Sequence, residues 1–251
     1  MNISVDIVIF ILVGFAAQAI DGSLGMAYGV SANSFLLSTG ISPVVASASV
    51  HASEVVTTAI SGLSHWHFEN TDKTLIKKLI IPGVIGGIVG AYALSNIDGK
   101  AIKPYVSLYL IIMGIRIFIL AFKKKPHSEK QLRNRFLFPL GVVGGVFDAM
   151  GGGGWGPIVT TTLMGRGKEP RKIIGSVNLT EFFVTAAESA TFIATIGLTN
   201  WQVIIGLIVG GALAAPFGAF VTKKVPHRVM MFCVGGVITI LSIRTIFISL
   251  Y

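Results

Sequence analysis

The segment Asp148-Ala-Met-Gly-Gly-Gly-Gly-Trp-Gly-Pro157 interrupts a long apolar stretch and decides the fold that we expect. Consecutive glycines free the backbone from helical geometry, and Pro157 suits the first turn of a helix that follows them. Asp21-Gly-Ser-Leu-Gly-Met-Ala-Tyr-Gly29 holds the matching place in the first half of the chain. We therefore predict two broken helices, each followed by a short return segment.

Both segments belong to an internal repeat that covers the whole chain. The offset that aligns Asp21 with Asp148 also aligns Gly25 with Gly152, Tyr28 with Trp155, Pro43 with Pro170, Glu54 with Glu181 and Thr58 with Thr185. Prolines and charged residues match within apolar sequence, so chance is a poor explanation. The predicted organisation is a first repeat at 1–121, a basic linker at 122–135 and a second repeat at 136–251, all within one membrane domain.

The composition indicates that lipid is the main solvent of the chain. Of its 251 residues, 53% are hydrophobic and only 12% are charged, against roughly 25% in soluble domains. The net charge of +9 comes from lysines and arginines in short loops between apolar stretches, as the positive-inside rule expects. A lipid bilayer is therefore the expected partner, and nucleic acid is not.

Each repeat is predicted to contain a broken re-entrant hairpin and three transmembrane helices. In the first copy, the segments lie near 4–20, 29–39, 44–65, 75–94 and 101–121. Residues 29–39 would rise about 16 Å as a helix, roughly half the hydrocarbon thickness, so this segment cannot cross alone. Returning hairpins give each copy an odd number of crossings. The predicted fold is thus an all-α polytopic membrane protein with two inverted-topology repeats.

Four basic loops, at 73–78, 123–135, 166–172 and 223–228, set the expected orientation. Lysine and arginine accumulate on the cytoplasmic side of membrane proteins. We expect these loops in the cytoplasm, both termini outside, and the protein in the cell (inner) membrane.

The two breaks are the first candidate site, because half-helices that start within a membrane aim N–H groups and positive dipole ends at a small anion. The candidate anion ligands here are Gln18, Asp21, Ser23, Tyr28, Gly152, Gly153 and Trp155. Two simpler explanations remain open. Glycines can serve close helix packing, as at Gly86 and Gly90, and the aspartates can cap exposed N–H groups.

Polar residues also follow one face of the second long helix in each repeat. Ser47, His51, Glu54, Thr58, Ser61 and His65 share one face, and Asn178, Glu181, Thr185 and Glu188 share the corresponding one. A central charge facing lipid costs about 2.5 to 3.5 kcal/mol on insertion scales, so both faces should meet protein or water. They form either a hydrogen-bond network or a pathway. For a pathway, His51 and Asn178 are candidate anion ligands, and Glu54, Glu181 and Asp148 are candidate proton carriers.

Other chemistry has less support in the sequence. Arg116 and Arg244 are equivalent, and either attract anions or extend to the membrane interface. His51 and Glu54 are too few ligands for a metal site, so no metal is expected. Nucleotide-binding and catalytic-triad motifs are missing, so we expect no cofactor and no enzymatic activity.

At this point the residues resemble a known family, the TauE/SafE exporters of sulfite and organosulfur anions. The resemblance rests on residues 19–30 (AIDGSLGMAYGV), 41–43 (ISP), 49–54 (SVHASE) and 151–157 (GGGGWGP). It implies a permease with about eight helices that exports sulfite, sulfonates or related small anions.

The sequence thus predicts a secondary transporter that binds a small sulfur-containing anion near the membrane midplane, between the two broken helices. Coupling to protons would offset the charge of the anion. One alternative is a permease coupled to Na⁺ or another cation, with Asp21, Glu54, Asp148 and Glu181 as ligands. A second alternative is an intramembrane enzyme that uses His51 and Glu54 as acid and base.

Overall fold

The computed structural model describes residues 3–122, 133–164, 166, 169–215 and 227–250. Across these residues the chain is helical, with short turns and no strand, as expected for an all-α protein. The helices are α1 (Ile3–Leu24), α2 (Tyr28–Ser38), α3 (Pro43–His67), α4 (Lys73–Ser95), α5 (Gly99–Leu120), α6 (Asn134–Gly151), α7 (Thr161–Met164), α8 (Pro170–Thr195), α9 (Trp201–Ala214) and α10 (His227–Leu250). Most of the predicted linker at 122–135 lies outside the described residues.

Three of the described helices are long and apolar enough to cross a membrane, namely α4, α5 and the Met231–Ile248 part of α10. Helices α3 and α8 have 25 and 26 residues, but they carry the polar faces noted above. The outer surface is apolar: Leu12, Ile81, Tyr105 and Ile240 are each more than half exposed. Such a surface suits lipid, so the chain is a membrane protein.

Local chemistry explains where several helices begin. The Asp72 carboxylate accepts hydrogen bonds from the N–H groups of Thr74 and Leu75 at 2.9 and 3.1 Å, and so caps α4. Asp98 caps α5 in the same way through the N–H of Lys100, at 3.1 Å. Pro43 occupies the first turn of α3, where its missing N–H costs nothing.

The first break lies one turn later than the sequence analysis placed it. Helix α1 continues through Asp21 to Leu24, and the chain then turns with positive φ angles of 64° at Gly25 and 98° at Ala27. Helix α2 follows with 11 residues, a rise of about 16 Å. It is therefore as short as predicted, about half the thickness of the hydrocarbon layer.

The second break has the same form. Helix α6 runs through Asp148 to Gly151, and Gly152 and Gly153 then take φ angles of 65° and 136°. A π-helical turn, Gly156–Thr160, leads directly into α7. In both halves the aspartate thus lies one turn before the break and not within it.

The helices pack in pairs that combine the two halves of the chain. Helix α1 packs on α9, α4 on α6, α5 on α10 and α3 on α8. The polar helices α3 and α8 also contact α9 and α4, respectively. This arrangement buries their polar faces between helices, away from the apolar outer surface.

Glycines on α4 and α9 permit the closest of these contacts. A Cβ atom at Gly86 or Gly90 would collide with the backbone of α6, and one at Gly206 or Gly210 would collide with α1. For these four glycines, therefore, close helix packing explains the residue type.

Candidate functional site

The two breaks contact each other inside the bundle. A Cβ atom at Gly153 would collide with the backbone of Gly29 and Val30, and one at Gly156 would lie 2.6 Å from the Cα atom of Met26. Only glycine allows two backbones to approach this closely. We call this contact between the backbones of the two breaks the crossing. The predicted anion ligand Gly153 is part of it, and its neighbour Gly152 packs against the Asn33 side chain.

The two aspartates cap the half-helices that follow the breaks. Asp148 Oδ1 accepts hydrogen bonds from the N–H groups of Gly154 and Trp155, at 2.6 and 2.9 Å. Asp21 Oδ1 accepts one from the N–H of Tyr28, at 3.4 Å. One oxygen of each aspartate therefore acts as a helix cap, which is the simpler explanation that the sequence left open. Asp148 Oδ2 makes no hydrogen bond.

Each half-helix also reaches the opposite break through one side chain. Thr160 Oγ1 donates to the carbonyl oxygen of Gly25 at 2.8 Å, and Asn33 Nδ2 donates to that of Gly151 at 2.6 Å. Thr160 and Asn33 are equivalent residues at the repeat offset. The crossing is therefore held by two reciprocal hydrogen bonds as well as by glycine contacts.

An acidic cluster is buried beside this crossing. In the described part of the chain the buried carboxylates are those of Asp21, Glu54, Asp148, Glu181 and Glu188. No lysine or arginine is buried among the same described residues, and His51 is the basic side chain buried with them. Desolvated carboxylates without basic partners are costly, so this interior requires protons or bound cations.

His51 lies where three carboxylates converge. Its Nε2 atom is 2.8 Å from Glu188 Oε2, 3.8 Å from Asp148 Oδ2 and 3.9 Å from Glu54 Oε2. Its Nδ1 atom lies 2.7 Å from the carbonyl oxygen of Ser47, one turn earlier in α3. The contact with Glu188 joins α3 to α8, so the two polar faces do oppose each other, as the sequence analysis expected.

Several buried polar atoms in the interior have no hydrogen-bond partner. Both amide atoms of Gln18 are unpaired, as are Asn178 Oδ1 and Glu188 Oε1. Asn178 Nδ2 is occupied by the carbonyl oxygen of Ile174, at 3.1 Å. Unpaired buried polar atoms are rare in folded proteins, so they indicate an interior that accommodates water or a polar ligand. The side chain of Ser23, the remaining serine candidate, lies outside the described residues.

The two aromatic candidates already have partners within the chain. The Tyr28 hydroxyl lies 3.0 Å from Ser53 Oγ and donates to the carbonyl oxygen of Leu207 at 3.3 Å. Trp155 Nε1 donates to the carbonyl oxygen of Val177, also at 3.3 Å. Both side chains are almost completely buried. Both side chains pack beside the crossing, and their polar groups already have partners within the chain.

The two arginines bind the short helices. The half-buried Arg116 donates from Nη2 to the hydroxyls of Thr161 and Thr162 in α7, at 2.8 and 3.0 Å. The exposed Arg244 donates from Nη1 to the carbonyl oxygen of Ser38, at the end of α2, at 2.6 Å. The two equivalent arginines thus attach equivalent segments, α7 and α2, to the long helices. These contacts do not test a role in attracting anions.

Comparison with known proteins assigns the chain to a family. It matches the family described as "Sulfite exporter TauE/SafE" over residues 10–245. The chain belongs to the TauE/SafE family. It is also 45% identical to the "Probable membrane transporter protein YtnM" of Bacillus subtilis (strain 168), over 96% of this chain and 82% of the relative. No solved structure matches it.

A TauE/SafE protein is a membrane transporter and not an enzyme, so the alternative of an intramembrane enzyme falls away. The two residues of that alternative, His51 and Glu54, do lie close together, with 3.9 Å between Nε2 and Oε2.

Sequence reasoning missed three contributors to the site. Asn33 and Thr160 were overlooked, although their equivalence at the repeat offset was a usable signal. Glu188 was assigned to the polar face of α8 but was not selected as a site residue. Its partner His51 lies on another helix, and no spacing within one helix reveals such a pair.

Proposed function

We propose that this TauE/SafE protein moves small sulfur-containing anions, such as sulfite or sulfonates, across the cell membrane as a secondary exporter. The observation that carries the proposal is a cluster of buried ionisable side chains inside a bundle with an apolar outer face. Ionisable groups are expensive at membrane depth and generally mark transport pathways. The family description names sulfite, and the proposal extends that substrate class to this chain.

We also propose that the halves 1–121 and 136–251 are inverted repeats related by a pseudo-two-fold axis in the membrane plane. Exchange of the halves converts the α1–α9 pair into the α6–α4 pair, and the α3–α9 contact into the α8–α4 contact. The aromatic contacts correspond as well, since Trp155 packs at Gly83 and Tyr28 packs near Gly211. Such repeats place a substrate site at their interface.

The proposed orientation has the basic loops in the cytoplasm and both termini outside the inner membrane. Single cysteines at Lys124 and Arg166, in a Cys233→Ser background, test it with a membrane-impermeant thiol reagent applied to intact cells. Both cysteines should stay unlabelled until the membrane is opened. Labelling of only one of them in intact cells would refute the inverted arrangement.

The proposed anion site lies beside the crossing of the two breaks, near the membrane midplane. Gln18 precedes Asp21 by three residues on α1, so the two share a face, and its unpaired amide supplies a donor. The half-helix that begins at Tyr28 adds the positive end of its dipole. His51 and Asn178, on the facing helices α3 and α8, complete the proposed polar lining.

The proposed proton carrier is Glu181. Of the three carboxylates that the sequence analysis considered, it is 6% exposed, against 2% for Glu54 and 1% for Asp148. Glu54 and Asp148 also face His51, whereas Glu181 does not take part in that convergence. The carboxylate that is both more accessible and free of this imidazole is the better suited to exchange protons with an aqueous path.

Sulfite efflux from proteoliposomes tests both the substrate and the carrier. Efflux from vesicles that contain the wild-type protein should rise above that from empty vesicles, and it should depend on external pH. Glu181→Gln should remove the pH dependence. The matched control is Glu169→Gln, the same change at an exposed residue beside the start of α8. If Glu181→Gln leaves flux and pH dependence unchanged, the carrier assignment is wrong.

Coupling to Na⁺ is the second candidate, because oxygen-rich acidic clusters also suit hard cations. Replacing Na⁺ by choline in the same vesicles separates the two mechanisms. Loss of sulfite flux in choline would favour Na⁺ bound by Asp21, Glu54, Asp148 or Glu181. A thermal-shift series with sulfite, sulfate, thiosulfate and short sulfonates would rank the anions, since a ligand that binds the folded state raises its stability.

A further inference from the structure

Three ligand atoms from three different helices face one point in the interior. His51 Nε2, Asp148 Oδ2 and Glu188 each offer one ligand atom, and these atoms all lie within 4.8 Å of one another. Glu54 Oε2, at 3.9 Å from His51 Nε2, borders the same point. Asp148 Oδ2, Glu54 Oε2 and Glu188 Oε1 lack hydrogen-bond partners, and the near neighbour of Nε2 is Glu188 Oε2 at 2.8 Å. The cluster therefore combines an imidazole nitrogen with unpaired oxygens, all of them almost completely buried.

The other nitrogen of His51 determines what Nε2 can do. The Ser47 hydroxyl donates to the carbonyl oxygen of Ala149 at 2.6 Å, so it does not serve Nδ1 as a donor. The Ser47 carbonyl oxygen, 2.7 Å from Nδ1, can only accept, which assigns a proton to Nδ1. In the neutral imidazole, Nε2 then presents a lone pair to the Glu188 oxygen at 2.8 Å. Two lone pairs at this distance repel, so the contact requires either a shared proton or a cation that both atoms bind.

Hydrogen bonds to its outer oxygen orient Asp148, as the bond at Nδ1 orients the imidazole, and packing restricts Glu188. Asp148 Oδ1 is held by the N–H groups of Gly154 and Trp155, which leaves Oδ2 to face His51. Glu188 lies against Gly87 of α4, where a Cβ atom would be 2.6 Å from Oε1. Fixation of ligands through their outer atoms is typical of protein metal sites.

We propose that His51, Asp148 and Glu188 bind a divalent transition-metal ion, with Glu54 as the fourth ligand, and Zn²⁺ is the probe that we choose. An imidazole combined with carboxylates suits zinc and related ions, whereas Na⁺ and Mg²⁺ favour oxygen alone. Ligands at about 2.1 Å from a tetrahedral ion lie roughly 3.4 Å apart, close to the 2.8 and 3.8 Å measured from His51. Small side-chain movements would therefore complete the site.

A bound ion would have two physical effects. Its charge would offset two of the buried carboxylates, and its bonds would tie α3 and α8 to the end of α6 beside the second break. The ion would belong to the resting protein whichever anion is transported, and with the ion bound, His51 would bind the metal and not the anion. Zinc binding can therefore be tested without reference to the transported substrate.

Metal content of the purified full-length protein tests the site. After treatment with a chelator, the detergent-solubilised protein is equilibrated with Zn²⁺ and analysed for bound zinc and for thermal unfolding. Wild type should bind one ion per chain and unfold at a higher temperature with zinc. His51→Ala and Glu188→Gln should each weaken binding by at least about 10-fold and lose the thermal shift. His67→Ala, which removes an exposed imidazole, and Glu169→Gln should behave as wild type.

Two results would overturn the proposal. Zinc binding that survives both His51→Ala and Glu188→Gln would be adventitious, and an absence of zinc binding by wild type would mean that protons alone neutralise the cluster. If both variants fail to fold, X-ray absorption at the zinc edge of the wild-type protein decides instead. It should detect one imidazole and two or three carboxylate oxygens at about 2.0 to 2.2 Å, and a shell without imidazole would refute the site. Sulfite flux does not enter any of these readouts.

Discussion

Replacing Gly153 by alanine should destabilise the protein more than any other single methyl group added at the breaks. Its φ of 136° is strained for a residue with a side chain, at a cost of about 1–3 kcal/mol. The added Cβ would also collide with the backbone of Gly29 and Val30, and overpacking of this kind costs about 1–3 kcal/mol. We expect Gly153→Ala to lose about 2–6 kcal/mol. For a chain of this size, that corresponds to a fall in Tm of roughly 4–24 °C.

Two control variants separate the two contributions. Gly40 has a φ of 97° but nothing within 4 Å of a built Cβ, so Gly40→Ala carries the strain without the collision. Gly236, within α10, has neither a positive φ nor a neighbour in reach, so Gly236→Ala should be neutral or slightly stabilising. Thermal unfolding in detergent, followed by tryptophan fluorescence, measures all three. If Gly153→Ala unfolds within 2–3 °C of Gly40→Ala, an estimate from the same scaling, the two breaks do not touch as described.

Two further substitutions probe the attachments of the short helices. Thr160→Val should lower Tm by roughly 2–4 °C, because it removes the hydrogen bond to the Gly25 carbonyl. The control Thr191→Val removes only a hydrogen bond within its own helix and should lower Tm less. Equal falls in Tm would contradict the contact between the two breaks. Arg116→Lys should lower both Tm and sulfite flux, because lysine cannot reproduce the paired contacts with Thr161 and Thr162. If the variant is fully active, the arginine only extends to the membrane interface.

Much of the fold could be predicted from patterns in the sequence alone. The repeat offset, the glycine-rich breaks and the spacing of polar residues predicted the helix boundaries of the first repeat to within a few residues. The main local error was the end of α1, placed near residue 20 although the helix continues to Leu24. An aspartate next to glycines suggested the break itself, whereas Asp21 closes the preceding turn and reaches forward to Tyr28.

The site was less predictable, because its chemistry depends on contacts between helices. The spacing within α3 placed His51 and Glu54 on one face, but the shortest contact of His51 is to Glu188 on α8. Nor does spacing reveal that one oxygen of Asp148 is used as a cap while the other faces His51. The expectation of no metal considered only His51 and Glu54 on one helix, and the fold brings the side chains of Asp148 and Glu188 close to His51 as well.

The charge of this interior constrains any mechanism of anion transport. Two unit charges 4 Å apart interact by about 4 kcal/mol at an effective dielectric constant of 20, and an affinity of 1 mM corresponds to about the same energy. One unneutralised carboxylate beside the anion could therefore cancel millimolar binding, and this interior buries five of them with one imidazole. For the transport proposed above, charge balance therefore favours entry of an oxyanion together with protons or a cation, or beside carboxylates that already hold them. Sulfite flux that ignored both pH and every cation would require a path that avoids the cluster, such as one along Arg116 and α7.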